Sequence, residues 1–191
     1  MSDVIDTAMA PTPSFYAQRM QILGVDDSNN VLETYNPRAE HPAPKWGRSK
    51  LFQEDSDGNI EITYYDLDAQ LIMYDTEAKT GGPRMYKVKR LKEPRGDMKY
   101  QMPKGHGTYP WFHPSLVRKF KDGERIEKLY LTEGVFKAFL ANQNGIDCVG
   151  LGSITHYAGP DKMLHRDIRR LIERCQVEII VILWDGDCLN I

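Results

Sequence analysis

Acidic side chains follow two largely apolar segments in the C-terminal part of the sequence. Glu133 comes directly after segment 129–132, and Asp185 and Asp187 come after the apolar run 177–184. Carboxylates that gather at one place repel one another unless a cation compensates their charge. Oxygen ligands of this kind suit Mg²⁺ or Mn²⁺, which bridge to phosphates and support phosphoryl transfer. The three acids are therefore the candidate catalytic and metal-binding residues.

The segments around these acids alternate between strand and helix patterns. The predicted strands are 129–132, 146–151 and 177–184, and the predicted helices are 135–142 and 161–175. This order predicts right-handed βαβ units and a parallel sheet, whose strands end at one edge. The third strand is almost wholly apolar, and we expect it to be central and buried on both faces. Each acidic motif alone also fits a solvated turn or a helix start, so their joint placement carries the prediction.

Charge is distributed unevenly along the chain. Residues 1–80 carry 6 basic and 14 acidic side chains, whereas residues 81–191 carry 19 basic and 13 acidic ones. The whole chain has 25 basic and 27 acidic side chains. The basic residues are concentrated between positions 84 and 104. They are Arg84, Lys87, Lys89, Arg90, Lys92, Arg95, Lys99 and Lys104. Such a stretch favours a polyanionic partner, although lysines also protect exposed strand edges from pairing.

The N-terminal region has a different pattern from the C-terminal one. Residues 1–13 are expected to form a disordered lead-in, and a helix is expected from Ser14 to Gly24. Residues 26–49 are expected to be irregular. Alternating patterns predict strands at 59–65, 71–74 and 84–91, followed by a loop and a short helix at 115–120. The organisation is then a basic, β-rich subdomain at 14–120 and an α/β domain at 124–191.

The C-terminal segments resemble a known family. The strings LYLTEG (129–134), GIDCVGLG (145–152) and DGD (185–187) are similar in order and spacing to the TOPRIM fold of DNA primases, topoisomerases and some nucleases. The resemblance covers residues 124–191 and implies a Rossmann-like βαβαβ parallel sheet, truncated at its C-terminus. It also implies Glu133 as the first-strand acid, Asp185 and Asp187 as the metal-binding pair, and Mg²⁺ or Mn²⁺ as cofactor.

The segment upstream resembles the one that precedes TOPRIM in primases. The strings KYQMPKG (99–105) and WFHP (111–114) carry this similarity. It implies a basic subdomain that tracks a single-stranded DNA template. The candidate nucleic-acid-binding residues are Arg84, Lys87, Lys89, Arg90, Lys99, Tyr100 and Lys104. Four aromatic residues lie among or beside them and are candidates either for base stacking or for core packing: Tyr86, Tyr100, Tyr109 and Trp111.

The resemblance implies primer synthesis from nucleoside triphosphates during DNA replication, by a phage or mobile-element type of primase. The intact protein is expected to be active and this stretch alone inactive, with a helicase domain or subunit as a further partner. One position departs from the pattern, because Lys137 stands where bacterial replicative primases commonly carry Asp. Three alternatives therefore stay open: a TOPRIM nuclease, a non-catalytic single-strand-binding module, and a protein-binding chain whose basic stretch is a solvated edge.

Other classes of protein fit the sequence less well. With 41% hydrophobic and 27% charged residues in 191, the composition is that of a globular chain. No apolar run approaches the ~20 residues of a membrane span, and no P-loop string occurs. Three scattered cysteines, Cys148, Cys175 and Cys188, suggest reduced thiols in the cytoplasm, and without CxxC pairs no zinc site is expected.

Overall fold

The computed structural model describes residues 12–40, 43–75, 83–153, 156–158 and 162–183. Over these residues the chain is a mixed α/β protein with four helices and eleven strands. The predicted lead-in at 1–13 lies almost entirely outside them, as do Asp185 and Asp187. No helix in the described part is both long and apolar enough to cross a membrane.

The helices and strands follow one another in this order along the chain. The helices are α1 (Phe15–Leu23), α2 (Pro114–Asp122), α3 (Val135–Gln143) and α4 (Arg166–Arg174). The strands of the N-terminal region are β1 (Val31–Tyr35), β2 (Trp46–Lys50), β3 (Phe52–Glu54), β4 (Ile60–Thr63), β5 (Met73–Asp75), β6 (Pro83–Met85), β7 (Lys87–Arg95) and β8 (Met98–Gln101). The remaining strands are β9 (Lys128–Glu133), β10 (Cys148–Leu151) and β11 (Ile179–Leu183).

Capping side chains set the ends of the helices. The Ser14 hydroxyl accepts a first-turn backbone N–H at 3.2 Å, and Gly24 ends α1 in the left-handed conformation, so both predicted ends of this helix are confirmed. Helix α4 begins at Arg166, five residues later than the predicted span 161–175. Its first turn is capped by the His165 ring, which accepts a backbone N–H. An imidazole cap is difficult to recognise in a sequence, because the preferred caps are Ser, Thr, Asp and Asn.

Antiparallel strands dominate the N-terminal region. β3, β4, β7 and β8 form a four-stranded sheet in that order, and β1–β2 and β5–β6 are two-stranded. The prediction that 26–49 is irregular is wrong, because it contains β1 and most of β2, whose polar residues give only a weak strand pattern. The loop predicted after residue 91 starts only after residue 101, so the first part of that prediction is wrong. β7 continues to Arg95, Gly96 turns the chain at a φ of 58°, and β8 returns.

The three C-terminal strands form the predicted parallel sheet, but in the order β10-β9-β11. Among the described residues, the expectation that the third strand is central is wrong, since β9 is central and β11 is at the edge. Leu129 and Leu131 of β9 are buried, whereas Ile180 and Ile182 of β11 are exposed. An apolar run is typical of a strand that is covered on both faces, but it does not determine the position of the strand in the sheet. In this order, β9 and β11 flank the point where the connections change direction, which is where open α/β sheets bind ligands.

One hydrophobic core joins the antiparallel and parallel sheets. The Phe52 ring of β3 lies 5.5 Å and 5.2 Å from the rings of Phe136 and Phe139 in α3. Trp111 exchanges two backbone hydrogen bonds with Gly150 of β10, and its indole N–H donates to a carbonyl of β4. Residues on both sides of 121–123 therefore pack together, which brings the basic β7–β8 hairpin to the carboxyl end of the parallel sheet.

Candidate active site

Glu133 is the last residue of the central strand β9, and its side chain is half-buried. Gly134 follows with a φ of 97°, a conformation that favours glycine, and its N–H donates to Leu151 at 2.7 Å. The described pairing of β11 with β9 ends at Leu183 opposite Thr132, one residue before Glu133. Asp185 and Asp187 lie beyond the described residues, so their convergence with Glu133 stays a prediction.

Glu133 opens into a cleft of about 480 Å³ between the two sheets. The wall on the parallel-sheet side comes from the end of β9, the start of α3 and the end of β10. The opposite wall comes from α1 and the β7–β8 hairpin. The lining residues are Arg19, Arg90, Asp97, Lys99, Tyr100, Glu133, Gly134, Phe136, Lys137 and Gly152. Four cations and two carboxylates therefore share this space, which makes the cleft suited to an anionic ligand.

The alternation of β7 sends its cations to two different faces of the sheet. Lys87 lies 2.8 Å from Glu61, and Lys89 lies 2.7 Å from Asp55 and 3.6 Å from Glu61, all on the face away from the cleft. Arg90 is on the other face, in register with Tyr100 of β8, and lines the cleft. The structure therefore brings only part of the predicted cationic set to Glu133.

The Lys89–Asp55 contact is a strong ion pair. Hydrogen bonding to Asp55 raises the pKa of Lys89. Burial alone raises the pKa of Asp55, but hydrogen bonds from Lys89, Asn59 and two backbone amides outweigh it and lower that pKa to about 2. Both groups are charged at neutral pH, and Lys89 forms its ion pair with Asp55 rather than with a group in the cleft.

Arg90 is held between two aromatic rings. Its guanidinium carbon lies 5.3 Å from the centroid of Tyr100 and 5.9 Å from that of Phe15, and it donates to the carbonyls of Leu91 and Lys99. These contacts fix the guanidinium at the cleft wall before any ligand arrives. Such preorganisation lowers the entropic cost of binding an oxyanion.

The hydroxyl of Tyr100 is a point where the cleft cations converge. Burial raises the pKa of Tyr100, and the positive charges of Arg90, Arg19 and Lys137 oppose that effect without overcoming it. The phenol consequently stays protonated at neutral pH and can donate a hydrogen bond. A neutral donor among three cations is suited to a phosphate oxygen.

The other predicted nucleic-acid contacts lie elsewhere. Arg84 in β6 and Lys104 after β8 are exposed and do not line the cleft among the described residues. Tyr86 and Trp111 are each only 1% exposed, so of the two alternatives for these rings core packing is confirmed. Tyr109 packs on Tyr86 at 4.9 Å. These rings fill the core, where Tyr86 also packs on Tyr64 and Trp111 on Phe52.

Some cleft residues were not among the predicted site residues. Arg19 reaches the cleft from α1, where it lies one turn after Phe15 and 5.8 Å from that ring. The i, i+4 spacing of an aromatic residue and an arginine was the only signal for it. Lys137 stands in the sequence only as a departure from the family pattern, whereas the structure places it in the cleft.

The glycines of the β10 end have a packing role. A Cβ on Gly150 would lie 3.1 Å from the backbone of Val135, and one on Gly152 would lie 2.8 Å from the His156 ring. Burial lowers the pKa of His156, and the charge of the Glu133 carboxylate opposes that effect. The Gly-x-Gly string therefore allows close approach of α3 and His156.

Cys148 takes no part in this chemistry. It is 1% exposed within β10, and burial raises the pKa of its thiol to about 12. A thiol with so high a pKa is not a nucleophile at neutral pH.

No family model, curated protein or solved structure matches the chain. Among the residues that the structure describes, no three His, Cys, Asp or Glu side chains gather as a metal site. The fold and the cleft thus define a class: a mixed α/β protein whose parallel sheet presents a carboxylate to a cation-lined cleft.

Proposed function

We propose that the chain is the core of a TOPRIM-like, primase-type nucleotidyltransferase, which joins nucleoside triphosphates on a single-stranded DNA template. The observation that carries the proposal is the cleft, where the carboxylate at the end of the central parallel strand faces four cations. A carboxylate and a set of cations serve the two needs of phosphoryl transfer, which are to hold a divalent ion and to neutralise phosphate charge.

The donor chemistry fits Mg²⁺ or Mn²⁺. Glu133 offers carboxylate oxygens, and Asp185 and Asp187 are the further ligands that the family resemblance implies. Because Arg19, Arg90, Lys99 and Lys137 line the same cleft, a bare divalent ion meets a net positive field there. A divalent ion that is already bound to nucleotide phosphates is not repelled by this field, because the negative charge of the phosphates exceeds the positive charge of the ion. When bound, the ion supplies charge neutralisation at the reacting phosphate.

The remaining groups bind and orient the substrates. Arg90 is preorganised by its two rings and contacts a phosphate, and Tyr100 donates its hydroxyl proton to a phosphate oxygen. Lys99 and Lys137 add positive charge at the two sides of the cleft. None of these groups reads base identity, because contacts to phosphate position a strand without specifying its sequence.

The first test is primer synthesis by the intact protein, rather than by this stretch alone, on single-stranded DNA with labelled nucleoside triphosphates and Mg²⁺ or Mn²⁺. We expect Glu133→Gln to lower template-dependent synthesis by about a hundredfold or more, because the neutral amide no longer holds the divalent ion. Glu173→Gln, an exposed carboxylate on α4, is the matched control and keeps full activity. Full activity of Glu133→Gln contradicts the assignment.

A second candidate function is a non-catalytic single-strand-binding module, which Lys137 favours because it places a cation where primases of this family carry an acid. In that case single-stranded DNA binds without a divalent ion and no product forms in any variant. A third outcome, degradation of DNA without added nucleoside triphosphates, identifies a nuclease that uses the same acid.

A further inference from the structure

The β1–β2 hairpin carries an aromatic pair that the cleft does not use. Its register places Tyr35 opposite Trp46 and Glu33 opposite Arg48, so these four side chains share one face of the hairpin. The Tyr35 and Trp46 ring centroids lie 5.4 Å apart at an angle of 60°. Trp46 is 49% exposed, which is unusual for the largest apolar side chain.

Cations surround this pair. The Lys45 ammonium lies 5.9 Å from the Tyr35 ring, and the Lys121 ammonium, at the end of α2, lies 5.7 Å from the Trp46 ring. Arg48 is exposed at the next cross-strand position, where Glu33 is the opposing charge. Three cations and one carboxylate thus border the rings. We call Tyr35, Lys45, Trp46, Arg48 and Lys121 the hairpin platform.

We propose that the hairpin platform binds single-stranded nucleic acid, with an unpaired base stacked on Trp46 and the adjoining phosphates neutralised by Lys45, Arg48 and Lys121. Exposed aromatic rings interleaved with cations are the two elements of sequence-tolerant single-strand binding. The charges argue for this occupant, because three exposed cations beside an exposed ring attract the phosphates of a strand whose unpaired base can stack on that ring. The proposal of binding rests on the hairpin alone. Only the role of the bound nucleic-acid strand as a template rests on the proposed function.

The Lys121 contact does not block the ring. A base stacked on tryptophan interacts more strongly than an exposed lysine does by its cation–π contact. A base therefore displaces the ammonium from the ring face, and the freed lysine is then positioned for the neighbouring phosphate. Duplex DNA cannot make this exchange, because its bases are already stacked on one another.

The first experiment measures binding of a 20-nucleotide deoxythymidine oligomer by fluorescence polarisation. Trp46→Ala is expected to weaken binding about tenfold or more, and Trp46→Phe, which keeps a stacking ring, much less. Ile146→Ala is the matched control, because Ile146 is 45% exposed just before the amino end of β10, the end of the sheet away from the cleft. Thermal unfolding of each variant verifies the fold. Equal binding by the wild type, Trp46→Ala and Trp46→Phe overturns the proposal.

Two further readouts report on the contact itself. The oligomer should quench tryptophan fluorescence of the wild type but not of Trp46→Phe, and a duplex of the same length should not quench it. Lys121→Gln should reduce the slope of log affinity against log salt by about 0.7, the value for one phosphate contact on a single strand. Equal quenching by the duplex, or an unchanged salt slope, contradicts base stacking with phosphate neutralisation.

The experiments distinguish a failure of the platform proposal from a failure of the proposed function. Loss of binding in Trp46→Ala, in a protein that makes no primers, supports the platform and refutes the primase. Primer synthesis with unchanged binding in Trp46→Ala refutes the platform and leaves the primase standing.

Discussion

Lys89 and Arg90 are adjacent cations on β7 with different surroundings, and they should differ in what they do. Lys89 neutralises Asp55, whose side chain is 7% exposed, whereas Arg90 is held at the cleft by two rings. Lys89→Ala leaves a buried carboxylate unpaired, so we expect a loss of about 1–3 kcal/mol in the free energy of unfolding, with little change in nucleic-acid affinity of the folded protein. Arg90→Ala should weaken affinity with a smaller effect on stability.

Denaturant unfolding and fluorescence polarisation, applied to both variants, separate the two roles. Asp55→Asn combined with Lys89→Ala is the matched control for the ion pair, because it removes both charges and should recover part of the lost stability. A Lys89→Ala protein that is fully stable but binds poorly would mean that Lys89 serves the ligand after all, as the sequence alone suggested.

At the scale of elements, His113 connects the start of α2 to the end of α3. Its Nδ1 accepts the backbone N–H of Ser115 at 3.2 Å, and its Nε2 lies 3.2 Å from the Gln143 amide. Burial, reinforced by the charge of Arg118, lowers the pKa of His113 from 6.5 to about 4. The folded protein therefore resists protonation of this ring, while the unfolded chain takes up a proton below pH 6.5.

This difference in pKa makes stability depend on pH with a definite sign. Between pH 6.5 and 4 the unfolded state binds more protons, so the free energy of unfolding should fall by about 3 kcal/mol as pH decreases through this window. His113→Asn keeps a capping side chain but does not titrate. The fall in its free energy of unfolding between pH 6.5 and 4 should therefore be smaller than that of the wild type by about 3 kcal/mol. Urea unfolding at several pH values measures how the free energy of unfolding depends on pH in the wild type and in His113→Asn. The same pH dependence in both proteins would exclude His113 as its cause.

The sequence predicted elements best where local chemistry determines them. Ser14, Gly24 and the strand-helix alternation after residue 128 gave α1 and the parallel strands, because caps and periodicity are local signals. The β1–β2 hairpin was missed because its strands carry few apolar residues, and α4 was started too early because its cap is a histidine. The first failure concerns a whole hairpin with a weak apolar pattern, and the second concerns only the start of a helix whose own pattern is clear.

At the scale of the whole molecule, the cleft depends on how the two sheets pack. The sequence identified Glu133, Arg90, Lys99 and Tyr100 separately, and their meeting in one cleft requires the β7–β8 hairpin to lie over the end of β9. Arg19 joins them from α1, 71 residues before Arg90 and 114 residues before Glu133 in the chain. No periodicity encodes such a distance. The convergence follows instead from the aromatic contacts of Phe52 and Trp111, which cross the boundary between the two sheets.

Phe52 is the residue whose loss should show whether the two sheets fold as one unit. Its side chain is fully buried and contacts the rings of Trp111, Phe136 and Phe139. Phe52→Ala should therefore cost about 3–5 kcal/mol and lower the stability of both sheets together. Far-ultraviolet circular dichroism and tryptophan fluorescence should then report one coincident transition at lower denaturant, while Ile22→Ala, 70% exposed on α1, stays within about 0.5 kcal/mol of the wild type. Two separate transitions in Phe52→Ala, one of them unshifted, would mean that each sheet folds alone; the cleft between them would then be a mobile junction rather than a preorganised site.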